Sequence, residues 1–408
     1  MNSKVSRMGR MVLGLTVIVC GAVKLGAQDI SNYTNFTVDG KTIQFHGFAS
    51  EGFAYSNDNN YLTMNTSQGS FAMTDGGVNV STQLTDNFRV GAQIYDRNIG
   101  ELGKWHPTLD WAVADYKFRD WFGIRAGKVK TVLGLFNDTQ DMEFLHTFAI
   151  LPQSMYPLDL RASTIAHTGG DVYGTIKLKK RGDLSYTGYA GWKSYDKYGG
   201  YVYGGAAVGI NVTSMPGRQF GGDLRWNNLV KGLLFGASVM LSPETVNAST
   251  QVAPTVTYPY TIWWNDNTVA FYTEYKVGNL ILDGEYRRET VGAASMVGPI
   301  NNGGFYWDER GWYVSAAYRV AKRLELGTYE SRYYPMWDQS HTPPTNHIYD
   351  TVAAAKVELT DHWDLKIEEH FMDGYGLPYS FRGFYPQENP DGLKPKTDML
   401  VIRTGWNF

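Results

Sequence analysis

Along most of this chain apolar and polar residues alternate one by one. In 279–290, Leu280, Leu282 and Tyr286 oppose Asp283, Glu285 and Arg287. In 362–372, Trp363, Leu365 and Ile367 oppose Asp364, Lys366, Glu368 and His370. A period of two places each set on its own face of an extended strand, so one face meets an apolar phase and the other meets water. The pattern predicts sixteen strands, at 41–55, 76–86, 87–97, 108–119, 121–132, 171–180, 183–194, 217–227, 231–241, 266–277, 279–290, 310–320, 323–333, 347–359, 362–372 and 397–408.

The connections carry as much information. Tight links such as Asp86-Asn87, Gly278 and Thr360-Asp361 alternate with long stretches: 56–75, 98–107, 133–170, 195–216, 242–265, 291–309, 334–346 and 373–396. A soluble sandwich has no reason to segregate its loops by length, whereas a barrel crossing an outer membrane has short turns on one side and long loops on the other. Strands of about eleven residues, at ~3.3 Å each and tilted ~40°, rise roughly 27 Å, which matches an apolar band ~25 Å tall. Closure removes every sheet edge, as lipid requires. The fold expected is all-β: a 16-stranded antiparallel transmembrane β-barrel spanning 41–408, preceded by a short periplasmic segment at 28–40.

Composition supports this picture. The mean hydropathy of −0.32 resembles a soluble protein, yet the chain carries 12 Trp, 28 Tyr, 19 Phe and 45 Gly, as suits strands that are apolar on one face only. Tryptophans 111, 121, 192, 226, 312, 363 and 406 fall near strand ends, where an interfacial belt belongs. Residues 1–27 read as a signal peptide: Lys4, Arg7 and Arg10 precede the apolar run Met11 to Val23, and Leu25-Gly26-Ala27 offers a cleavage site. The only cysteine, Cys20, lies within it, so the mature chain uses neither disulfides nor thiol metal sites. The net charge of −3 becomes more negative when the signal's cations are removed, which argues against a nucleic-acid partner.

The longest connection, 133–170, follows the fifth strand and carries Phe144, Leu145, Phe148, Ile150 and Leu151. It is too apolar for a free surface loop and is expected to fold into the barrel and narrow its lumen. Sixteen strands, a long third loop and a terminal Phe408 resemble the trimeric porin superfamily of Gram-negative outer membranes. Asp110-Trp111-Ala112-Val113-Ala114-Asp115-Tyr116 and Arg125-Ala126-Gly127-Lys128-Val129-Lys130-Thr131 are similar to strands four and five of such porins. Gly134-Leu135-Phe136-Asn137 and Leu151-Pro152-Gln153-Ser154 look like their loop-three entry and interior. The loop lacks the Pro-Glu-Phe-Gly-Gly run of enterobacterial general porins, so their constriction residues do not carry over. The resemblance implies an outer-membrane homotrimer that passes small hydrophilic solutes and ions by diffusion. It also implies contact with outer-membrane lipid and lipopolysaccharide, and recognition of Phe408 by the barrel-assembly machinery.

Candidate pore-lining residues are Arg89, Arg125, Lys128, Lys130 and Arg161 with Asp138, Asp141 and Glu143. Arg125 and Lys128 are three apart, so a regular strand sends one into lipid at a cost of ~2–4 kcal/mol at the midplane. A β-bulge at Ala126-Gly127 would turn both inward. The basic wall would then face the loop acids across a gap, orienting polar solutes and tilting preference toward anions. No cofactor, metal or catalytic set is expected: His146, His167, His341 and His347 have no recurring ligand spacing. Arg181-Gly182-Asp183 reads as a tight turn, and the sequons at Asn32 and Asn35 as incidental. The alternatives are a barrel enzyme of phospholipase or protease type and a structural or adhesin barrel with a plugged lumen.

Overall fold

The computed structural model of the protein describes residues 34–253, 256–297, 303–376 and 382–408; the signal peptide and residues 28–33 of the segment at 28–40 lie outside them. A small hairpin comes first: β1 (Asn35–Val38) folds onto the start of β2 (Lys41–Ser56). Asp39 and Gly40, both with positive φ, form its turn, the chemistry of a two-residue hairpin. The wall continues through β3 (Ser70–Thr85), β4 (Phe88–Ile99), β5 (Thr108–Arg119), β6 (Phe122–Lys130), β7 (Ala166–Lys177) and β8 (Asp183–Lys193). Helix α1 (Gly200–Ala207) and a short β9 (Ile210–Ser214) follow. Then come β10 (Arg218–Asn227), β11 (Leu233–Ala253), β12 (Val256–Val277), β13 (Leu280–Val297) and β14 (Gly303–Ala321). The last four are β15 (Leu324–Tyr334), β16 (Ile348–Thr360), β17 (Trp363–Asp373) and β18 (Lys396–Asn407).

Each wall strand pairs antiparallel with its neighbours, β8 passes directly to β10, and β18 pairs with β2 from Met399↔Ser56 to Asn407↔Phe48. The sheet is therefore a closed 16-stranded barrel. Each predicted strand has its counterpart in order. The main difference is length. Of the stretches 242–265 and 291–309, expected as loops, residues 242–253, 256–265, 291–297 and 303–309 instead prolong β11 to β14 beyond the rim. Val246, Ala248, Tyr260 and Ile262 on this extension bury against Met215 and the flanking Tyr201 and Val212. Pro243 and the Asn and Ser around it gave the segment a loop-like composition, but tertiary packing keeps it extended.

The two faces separate cleanly. Leu224, Phe271, Val314 and Ile367 are exposed on one parity, while Asp223, Glu285, Lys366 and Glu368 on the other are buried. The apolar set faces outward and the polar set inward. Trp121, Trp192 and Trp406 are exposed as a belt requires. Trp111 departs from that expectation: its ring lies on the inward side, against Gly91, because its parity follows Gln93, its ladder partner. Inside the loop-side half sits an apolar core: Ala54, Met73, Ile99, Met399 and Val401 of the wall enclose Leu62, Ile150 and Phe384 from three different loops.

Candidate functional site

The site is built from residues 131–165 and the inward side chains they touch. Asn137 Nδ2 donates to the carbonyls of Thr131 and Thr164, 2.8 Å each, clasping the two ends of the loop together. At Gly134, with φ +69°, a side chain would strike the Glu285 carboxylate. Glu285 accepts from Leu135 N at 3.0 Å, Tyr156 OH at 2.6 Å and Tyr313 OH at 2.7 Å. Three donors satisfy a carboxylate that burial alone would penalise.

Farther along, Glu368 accepts from the amides of Ala149 and Ile150, at 2.5 and 3.1 Å. Arg403 Nη1 donates to Ala149 O at 2.7 Å, Lys366 Nζ to Glu143 O at 2.7 Å and Lys356 Nζ to Phe144 O at 2.6 Å. Thr147 Oγ1 reaches Glu325 at 2.7 Å, and Arg287 donates to Met155 O at 3.0 Å. These wall partners, on β13 and β15 to β18, belong to the inward parity. Two inward glycines make room: a Cβ at Gly311 would lie 2.6 Å from Ser154 O, and one at Gly405 would collide with Glu143.

The predicted residues divide into groups. Lys130, Asp141 and Arg161 come together, joined by two residues the sequence reading missed, Asp110 and Gln93. Lys130 pairs with Asp141 and stands 3.4 Å from Asp110. Arg161 is 2.8 Å from Asp110 and 3.6 Å from Asp141, with its guanidinium 3.9 Å above the Tyr95 ring. Gln93 Nε2 donates to Asp141 at 2.7 Å and to Asp110 at 3.1 Å. Glu143 lies elsewhere, paired with Lys366. Asp138 has burial as the first cause of a pKa above the usual carboxylate range, opposed by the field of Arg225. Arg125 stands between Asp115 at 3.4 Å and Asp171 at 3.9 Å, over the Tyr173 ring. Arg89 donates to Ser81 Oγ at 3.0 Å and is exposed.

Two expectations are corrected. The ladder of β6 runs in register past Ala126 and Gly127 on both sides. Gly127 adopts φ +127° against Ala112 O without an inserted residue. The bulge is on the neighbouring strand, where Asp110 is the extra residue between Gln93↔Trp111 and Ile94↔Leu109, and it delivers the Asp110 carboxylate to the interior. Lys128 consequently keeps the parity of Ile124 and Ala126, and its Nζ donates to Leu109 O at 2.6 Å. Its place near the loop-side end of β6 keeps the cost below the midplane value. Nor does Lys130 face Asp141 across a gap: the two charges meet in contact beside the buried Arg161, with Asp141 buried and the Lys130 side chain 14% exposed. The wall partners were legible in part: Glu285, Lys366 and Glu368 already stand on the polar face of the alternation, and Arg403 is a charged residue of the same inward parity. Asp110 had no such signal, because a bulge is invisible to a period-two count.

Thr131 Oγ1, His167 and Asp171 form a chain of 3.0 and 2.8 Å contacts resembling a nucleophile–base–acid array. All three are fully buried, and Gln219 Nε2 also donates to the Thr131 oxygen at 3.1 Å. A sealed hydroxyl cannot meet a substrate, so the chain fixes β6 against β7 and β10. Among the described residues no group of three His, Cys, Asp or Glu is arranged to hold a metal ion.

The sequence matches no protein-family model and no curated protein. Solved structures with the same fold include OmpT, an outer-membrane protein of Vibrio cholerae (11% identity, TM-score 0.58, 92% of this chain and 100% of that one). An anion-selective porin from Comamonas acidovorans is similar at 11% identity and TM-score 0.55, covering 90% of this chain and 100% of that one. The outer-membrane channel DcaP of Acinetobacter baumannii is similar at 12% identity and TM-score 0.54, covering 92% and 100%. Closed wall, strand number and these likenesses together define a porin-type outer-membrane barrel. This is the fold of outer-membrane proteins.

Proposed function

We propose that the protein is a passive diffusion channel for small hydrophilic solutes in the outer membrane, with a preference for anions, and not an enzyme. The observation that carries the reading is the partition of the wall: its outward parity is apolar, its inward parity is charged, and a long loop is hydrogen-bonded to the inward set. The loop is then the constriction, and Lys130, Asp141, Arg161 and Glu143 brace it. The charges left for solutes are those with water access. Arg89 has no carboxylate partner among the described residues, and the Arg125 side chain is about 31% exposed. The anion-selective porin from Comamonas acidovorans shares the fold and supports the same preference.

Planar-bilayer reversal potentials in a salt gradient test this. Arg89→Ala and Arg125→Ala should each move selectivity toward cations, while Lys128→Ala, with outward parity, should leave it unchanged. Equal reversal potentials in all four proteins would remove the anion reading, and absence of conductance would remove the channel.

Assembly as a homotrimer is part of the same proposal, and a trimeric form of the Vibrio cholerae protein is among the similar structures. On this chain Glu51 stands on the outward parity of β2, hydrogen-bonded to Thr74 at 2.5 Å and opposite Thr404. Lipid tails cannot satisfy a carboxylate, but a neighbouring subunit can. Glu51→Leu should lower the temperature at which oligomers dissociate on a gel. A raised or unchanged temperature would place this face against lipid instead. Phe408, whose backbone pairs with Gly47 in both directions, is proposed as the segment read by the assembly machinery.

A further inference from the structure

On the outward face, at the loop-side rim, a cavity of about 430 Å³ is lined by Trp192, Arg218, Pro243, Thr245, Trp263 and Asn265; Glu244 also borders it, its carboxylate neutralised by Lys193 at 2.9 Å. These residues come from adjacent strands: Arg218 is the ladder partner of Trp192, Asn265 of Pro243, and Trp263 of Thr245. Both indoles are exposed, Trp192 at 63%. Other outward arginines at this rim carry their own carboxylates. Arg288 and Arg310 both grip Asp308, at 2.9 and 3.0 Å, and Arg332 pairs with Glu330 at 2.6 Å. Arg218 is exposed and, among the described residues, its guanidinium has no hydrogen-bond or ion-pair partner. Asn265 and Thr245 bring an amide and a hydroxyl beside it.

Below this row the outward side chains are those of hydrocarbon. Phe220, Gly222, Leu224 and Trp226 follow Arg218 down β10, and the small Gly188 is paired with Gly222. Trp226 sits eight positions from Arg218, a rise of ~20 Å at ~3.3 Å per residue and ~40° tilt. Arg218 therefore lies where the apolar band gives way to headgroups, and Trp226 near the opposite boundary. An unneutralised guanidinium between two interfacial indoles, above an apolar and glycine-lined strip, matches an anionic head on acyl chains.

We infer that the Trp192–Arg218–Trp263 recess binds the phosphate headgroup of an acylated lipid, whose chain lies along Phe220, Gly222 and Leu224. Arg218 binds the phosphate bidentately, Asn265 and Thr245 contribute further hydrogen bonds, and the indoles fix the headgroup depth. The inference uses only the outward face, so it stands or falls separately from conduction.

Native mass spectrometry of the full chain in detergent, titrated with phosphatidylglycerol, tests it. One lipid per chain should be retained, and Arg218→Ala should weaken it by about tenfold or more, as loss of a charge-assisted pair implies. Arg218→Lys should restore part of the affinity, and Lys231→Ala, in a turn on the opposite side, should change nothing. Gel heat-modifiability confirms that each variant is folded. Equal retention by Arg218→Ala and the parent would overturn the site. So would equal affinity for phosphatidylcholine, or displacement by millimolar inorganic phosphate, which would make it a free-anion site.

Discussion

Arg403→Met should destabilise the barrel by about 3–5 kcal/mol, the cost of leaving a buried charge without its partner, and should free the constriction loop. Arg403 is 5% exposed. Its Nη2 reaches Asp75 at 2.8 Å and Ser50 Oγ at 2.7 Å, while Nη1 holds Ala149 O at 2.7 Å. One side chain thus joins β18, β2, β3 and the loop. Methionine matches its volume but leaves Asp75 buried with only the hydroxyls of Ser50 and Tyr95. Urea unfolding in detergent, followed by tryptophan fluorescence, should show the lower midpoint, and single-channel traces should become larger and noisier. Adding Asp75→Asn should recover part of the stability, because it removes the stranded charge. An unchanged midpoint in Arg403→Met would mean that this network does not hold the loop.

Acidification should loosen the same loop between pH 6.5 and about 4. His146 is buried against Phe136, with ring centroids 5.0 Å apart, and its Nε2–H donates to Thr139 O at 2.9 Å. Burial pushes its pKa down to about 4, and the field of Lys366 acts in the same direction. In the unfolded chain the imidazole binds a proton near its ordinary 6.5, whereas in the folded chain it resists until about 4. The stability held by neutral His146 is therefore complete above 6.5 and lost as pH falls toward 4, about 3 kcal/mol in all. Asp138 and Asp159 act oppositely. Burial, the first cause in each, raises both pKa values, so they favour the folded loop on acidification. Comparison with His146→Gln isolates the imidazole: the variant's stability and open-channel noise should vary less across this interval. Parallel pH profiles for the two proteins would show that His146 is not the responsible group.

Much of the architecture could be read from the chain. In β17, Trp363, Leu365 and Ile367 against Asp364, Lys366 and Glu368 declared both the strand and its two environments. The same held for β13. Where the reading went astray, the cause was non-local. The extension of β11 and β12 past the rim depends on Met215, Tyr201 and Val212 arriving from another connection to cover Val246 and Ile262. Lys128 was expected inside because a glycine beside it invited a bulge, but the inserted residue was Asp110 on the next strand. Trp111 had the composition of a belt residue and the parity of a lumen residue, and parity prevailed.

The candidate site was less legible. Lys130, Asp141 and Arg161 could be listed as charged residues near the constriction, but not that they converge on Asp110 and Gln93, nor that Glu143 would cross to Lys366. The alternation of side chains is a property of each strand, imposed by hydrocarbon on one face and water on the other. Strand number, strand order and the inward or outward sense of nearly every position were therefore determined by sequence alone. Which inward charges touch depends on register, on one bulge and on the route a single loop takes across the closed wall. Those were decided only by tertiary structure, because a buried charge is stable only where a partner from elsewhere in the chain arrives within hydrogen-bonding distance.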